Sequence, residues 1–115
     1  MMKKDVLIQS VVQFLDDKKA IDIQVMDLSE LSTVSDCFVI ATGANRPHLK
    51  SLFEGLQLHL KSKDFSGFDR TGIPDSGWLI IDIKGVMIHL FDEEQRNYYD
   101  LELLWKDAPK LTFEV

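Results

Sequence analysis

Two apolar runs, residues 78–83 (Trp-Leu-Ile-Ile-Asp-Ile) and 86–91 (Val-Met-Ile-His-Leu-Phe), are separated only by Lys84 and Gly85. A two-residue link joins antiparallel neighbours, and Gly85 supplies the positive φ that such turns demand. The chain is therefore expected to form a tight hairpin here. With the turn at 84–85, Ile83 opposes Val86, Asp82 opposes Met87 and Ile80 opposes His89. Asp82 and His89 are then only diagonal neighbours, a poor arrangement for an acid–base pair. A third run, Cys37 to Thr42, is short, apolar and rich in β-branched residues, as in a strand buried on both faces.

The rest of the chain supplies helices around these strands. Leu7, Val11, Phe14 and Leu15, widened by Ile8 and Val12, predict a helix over 4–19, with Lys18 and Lys19 suiting its carboxyl end. Residues 21–28 alternate as a strand with one polar face, and 29–35 form a polar connection. Asn45 is placed to cap a second helix, in whose first turn Pro47 is tolerable. Leu49, Leu52, Phe53, Leu56 and Leu60 give that helix its apolar stripe. Residues 64–77 are rich in Gly, Asp, Ser and Pro, with a short strand expected near 65–69. Asp92, Glu93 and Glu94 open a last helical region reaching Trp105, its apolar side formed by Leu101, Leu104 and Trp105. From Pro109 onward an extended tail is expected. The order is α-β-β-α-β-β-β-α, one α/β domain with a mixed sheet over 1–115, of which 109–115 is a C-terminal extension.

Charge narrows the functional classes. The net charge is −6, yet residues 1–63 hold eight basic and eight acidic side chains, and residues 64–115 hold five and eleven. An acidic chain is poorly suited to gripping nucleic-acid phosphates, so little direct nucleic-acid contact is expected. The one cysteine, Cys37, can make neither an internal disulfide nor a multi-thiolate metal site, and its apolar setting predicts an inert buried thiol. The lysines at 3 and 4 are not followed by the apolar stretch of a secretory signal, and no run approaches a membrane span. A cytoplasmic location without membrane contact is the expectation.

Motifs for catalysis are sparse. The sequence holds no metal-binding HxxxH, P-loop or GxGxxG, and no cofactor or metal is expected. His59 reads as a partly exposed helix residue, and His89 as a satisfied core or half-buried strand residue. Asp36, before a strand, has the type but not the Gly-Ser and Asp-x-Asp surroundings of a nucleotidyltransferase carboxylate, and it reads better as a loop anchor. Trp78 follows a flexible loop, where it either covers the core or anchors a recognition face. Tyr98 and Tyr99 lie near the acidic helix start, where they either pack on the sheet or extend such a face.

Taken in order, residues 23–28, 32–43, 75–82, 85–91, Glu94 and 99–105 resemble the ribosomal silencing factors, or Iojap family, over roughly residues 5–108. One departure is visible: Pro47 stands before His48 where members commonly have Arg, with Arg46 one place earlier. The extension after Pro109 is also outside the usual pattern. The resemblance implies a nucleotidyltransferase-like fold without the catalytic residues. It further implies binding to the large ribosomal subunit through its fourteenth protein, obstruction of subunit joining, slower translation when nutrients are scarce, and homodimers in isolation. Trp78 matches a family position associated with that contact. On geometry and charge, Ile83 is expected as a second apolar anchor and Lys84 as a polar contact at the turn. Asp82, Asp92, Glu93 and Glu94 offer carboxylates to a basic protein, with Tyr98 alongside. The competing classes are a diverged nucleotidyltransferase-like enzyme using Asp36, Asp82 and His89, and a dimeric adaptor with no ribosomal partner.

Overall fold

The hairpin forms in the expected register. In a computed structural model that describes residues 3–33 and 35–113, Ile83 pairs with Val86, Asp82 with Met87, Ile80 with His89 and Trp78 with Phe91. Lys84 and Gly85 both take positive φ, 50° and 85°, which matches the turn to the right-handed twist of the strands.

In chain order the elements are α1 (Lys3–Asp17), β1 (Ile21–Asp27), β2 (Cys37–Thr42), α2 (Arg46–Ser62) and β3 (Asp69–Thr71). A single turn of 3₁₀ helix (Pro74–Ser76) leads into β4 (Trp78–Ile83) and β5 (Val86–Phe91), followed by α3 (Glu93–Tyr99), α4 (Leu101–Leu104) and β6 (Lys110–Leu111). The sheet runs β3-β4-β5-β2-β1-β6. Only β2 and β5 are parallel, paired from Cys37–Val86 to Thr42–Phe91, and every other pair is antiparallel. Every residue of β2 is buried, as its unbroken apolar run predicts.

One face of the sheet packs on the two long helices. Leu79, Ile81, Ile83, Val86, Ile88 and Leu90 meet Leu7, Val11 and Leu15 of α1 and Leu49, Leu52, Leu56 and Leu60 of α2. Asn45 caps α2 by accepting the His48 N–H at 2.9 Å, and Pro47 sits in its first turn. The other face carries Met26, Leu28, Phe38, Ile40 and Phe91, and the C-terminal segment covers part of it with Leu101, Ala108 and Trp105.

Three local expectations need correction. The short strand lies at Asp69–Thr71 rather than near 65–69, because Phe65 turns back onto the helical core and Gly67 bends the chain at φ 75°. The last helical region is two helices, broken where Asp100 takes φ 47°. The break turns Leu101 inward and leaves Leu104 70% exposed, so the expected apolar side of Leu101, Leu104 and Trp105 does not hold together. The tail after Pro109 is extended as expected, and Lys110–Leu111 pairs with Val25 and Met26 as an edge strand. Both edge strands, β3 and β6, are short and wholly exposed.

Lys84 holds a left-handed conformation that costs a non-glycine residue about 1–2 kcal/mol. Lys84→Asn, which tolerates that conformation, should raise unfolding stability by about 0.5–1 kcal/mol in urea titration, with no change in fold.

Candidate partner-binding face

Alternation along β4 puts Trp78, Ile80 and Asp82 on the face away from α1 and α2, opposite Phe91, His89 and Met87 of β5. The C-terminal segment shelters the β1–β2 side of this face. Over the hairpin, Trp78, Ile80, Asp82 and Met87 remain half-exposed. The result is a shallow apolar surface on rigid strands, open to a partner.

Trp78 closes one end of it. The ring stacks on Phe91 at 5.1 Å between centroids and tilts against Tyr99 at 4.3 Å, and Tyr99 in turn meets Tyr98 edge-on at 5.0 Å. Tyr98 itself is 77% exposed. The indole Nε1–H donates to Nδ1 of His89 at 3.1 Å. Gly77 sets the strand's start with φ 79°, and a Cβ there would collide with the Asp92 carboxylate. Asp92 is the N-cap of α3, accepting the Gln95 N–H at 2.7 Å, so part of its carboxylate is already engaged.

The other end is acidic. Asp82 lies directly across from Asp69 of β3, two carboxylates in one cross-strand pair. Like charges in that position repel, and a cation brought between them relieves the repulsion. This pairing has no local sequence signal, because it depends on where β3 joins the sheet.

The expected site residues therefore fall into groups. Trp78, Asp82 and Tyr98 belong to the open face or its rim. Ile83 does not: it is 1% exposed in the helical core, because residues five apart on a strand point to opposite faces. Lys84 is exposed at the turn, about 20 Å along the hairpin from Trp78 at strand rise per residue. Glu93 and Glu94 are exposed on α3, and Glu93 lines a separate cleft of about 420 Å³ beyond the carboxyl ends of β2 and β5.

That cleft is organised by Arg96, which local sequence reading missed. Its guanidinium is buried and bidentate to Glu102 at 3.2 and 3.0 Å, and it also donates to Thr42 Oγ1 at 2.9 Å and approaches Asp22 at 3.4 Å. Arg96 thus ties α3, α4 and the ends of β1 and β2 together, holding in place the segment that carries both tyrosines. A lone arginine among acidic neighbours near a helix end was the available hint.

The enzyme reading gains no shared site. Asp82 stands opposite Met87, His89 stands opposite Ile80, and the His89 Nδ1 is occupied by Trp78. Among the described residues, no three His, Cys, Asp or Glu side chains are placed to hold a metal. No helix among them is long and apolar enough to cross a membrane.

His89 is 2% exposed, and burial depresses its pKa from the usual 6.5 to about 4. The folded ring stays neutral where the unfolded one already takes a proton. The associated stability is therefore complete above about pH 6.5 and is lost as pH falls through about 4. Between about pH 7 and about pH 4.5 the loss of unfolding free energy in urea titration should be about 2 kcal/mol, and His89→Phe should remove that component.

Comparison with known proteins agrees with this fold. A family model described as "Ribosomal silencing factor during starvation" matches residues 2–115. A ribosomal silencing factor of Halalkalibacterium halodurans is 29% identical over 113 residues, covering 98% of this chain and 97% of that protein. The mouse protein named "Mitochondrial assembly of ribosomal large subunit protein 1" is 32% identical over 101 residues, covering 85% of this chain and 44% of that protein. A crystal structure from Chromobacterium violaceum superposes with a TM-score of 0.85 at 28% identity, covering 99% of this chain and 94% of that one. Fold and sequence agree along the chain's length, and the chain belongs to the ribosomal silencing factor family.

Proposed function

We propose that this chain is a steric repressor of translation: its open hairpin face docks on the fourteenth protein of the large ribosomal subunit and keeps the small subunit away. The observation that carries this reading is the face itself, an apolar strip of Trp78, Ile80 and Met87 ending in the Asp69–Asp82 pair. An aromatic anchor at one end and unrelieved negative charge at the other suit a basic protein surface and repel bare RNA phosphate. The names of the relatives, a silencing factor and a large-subunit assembly protein, point to the same particle. A body of 35 × 33 × 25 Å placed where two large surfaces must meet obstructs them by volume alone. The reading needs no catalytic step, cofactor, metal or membrane, and it places the chain in the cytoplasm beside the ribosome. In the free chain, Tyr98, Leu103 and Leu104 are the exposed apolar side chains on which a homodimer would draw.

The test is gradient sedimentation of ribosomal subunits with and without the protein. Added protein should leave more subunits unjoined and should travel with the large subunit. Subunits that join equally well in both gradients sink the reading. Trp78→Ala should reduce retention on large subunits by at least about tenfold, as expected for a central aromatic anchor. Asp82→Asn should weaken it about two- to fivefold and flatten its salt dependence, because one of two paired charges is gone. A folded Trp78→Ala variant that binds at the original strength would remove the anchor from the proposal.

A further inference from the structure

We propose that His89 is a positioning residue for the docking face, its Nδ1 fixing the orientation in which the Trp78 indole is presented. The inference rests on the docking reading above and adds the group that prepares its anchor. Trp78 is held on its sides by Phe91 and Tyr99 through ring contacts. Such contacts restrain the plane of an indole but barely distinguish its two flipped orientations, since both bury similar area. The bond from Nε1–H to His89 Nδ1, at 3.1 Å, exists in only one of them. His89 can serve because it lies on the neighbouring strand and on the same face, two residues before Phe91, the residue directly opposite Trp78.

The rest of the imidazole argues that this bond is what the ring contributes. With Nδ1 accepting, the proton of the neutral ring lies on Nε2, an assignment made from the hydrogen bond. Nε2 is buried and has no hydrogen-bond partner among the described residues. Phe38 packs at 4.4 Å between ring centroids, so the pocket around the imidazole is aromatic. A phenyl ring would suit that pocket and would bury no unpaired donor. Core packing alone therefore does not call for a histidine here.

The experiment uses the full chain carrying Trp105→Phe, so that Trp78 is its one indole. Against that parent stand His89→Phe, which removes the acceptor, and His89→Asn, whose Oδ1 falls close to the position of Nδ1. Three properties are measured: melting temperature, the indole N–H resonance with its exchange rate, and retention on purified large ribosomal subunits. His89→Phe should melt no lower than the parent near neutral pH, yet its indole N–H should shift and exchange faster. Its retention should fall about three- to tenfold, the range expected for one lost orienting hydrogen bond. His89→Asn should restore the resonance and the retention. Trp78→Phe removes the same bond from the other side, and its loss should not add to that of His89→Phe.

Parent-like retention or an unchanged indole signal in His89→Phe would overturn the proposal. So would additive losses in the double variant, or a well-folded His89→Asn that restores neither property. If His89→Phe does not fold, His89→Asn decides: a parent-like resonance and retention support the role, and the loss of both in a folded protein overturns it. If the parent itself does not bind large subunits, the docking reading falls. The indole signal then judges His89 alone, a moved signal supporting the positioning role and an unmoved one ending it.

Discussion

The parallel pairing of β2 with β5 is the contact on which the rest of the molecule depends. It joins segments far apart in the chain, and it places a strand with no exposed residue at the middle of the sheet. A strand of that kind needs cover on both faces. The helices α1 and α2 cover one of them completely. The other is covered by a segment of two short helices and a tail, which reaches across β1 and β2 and meets the hairpin where Tyr99 packs on Trp78. Trp78, Ile80, Asp82 and Met87 on the outward side of β4 and β5 are left half-exposed.

The hairpin and its register were legible because a two-residue turn leaves one pairing. The stripe of Leu49, Leu52, Phe53, Leu56 and Leu60 was legible because helical spacing and burial coincide there. The partner of β2 was not, since a strand apolar on both sides carries no alternation to say which neighbour it takes. The break at Asp100 was hidden as well, because acidic and apolar residues continue through it without a glycine or proline. Ile83 is a different case. The same period of two that defined β4 already separated it from Trp78, and treating both as anchors set charge and proximity to the turn above strand geometry.

The acidic half of the chain also takes on a clearer meaning. Its charge is not spread evenly over a face. Glu102 is engaged with Arg96, Asp92 caps α3, and Asp75 meets Arg46 at 3.0 Å. What remains beside the apolar strip is the Asp69–Asp82 pair. Where these two carboxylates stand therefore says more about a partner than the net charge of −6 does.

The sheet also ends in two very short strands, β3 and β6. A long bare strand would be a template on which further copies could hydrogen-bond, one after another, into a fibre. Three residues at one border and two at the other give such growth almost no purchase. Open-ended stacking through the sheet edges is thereby disfavoured.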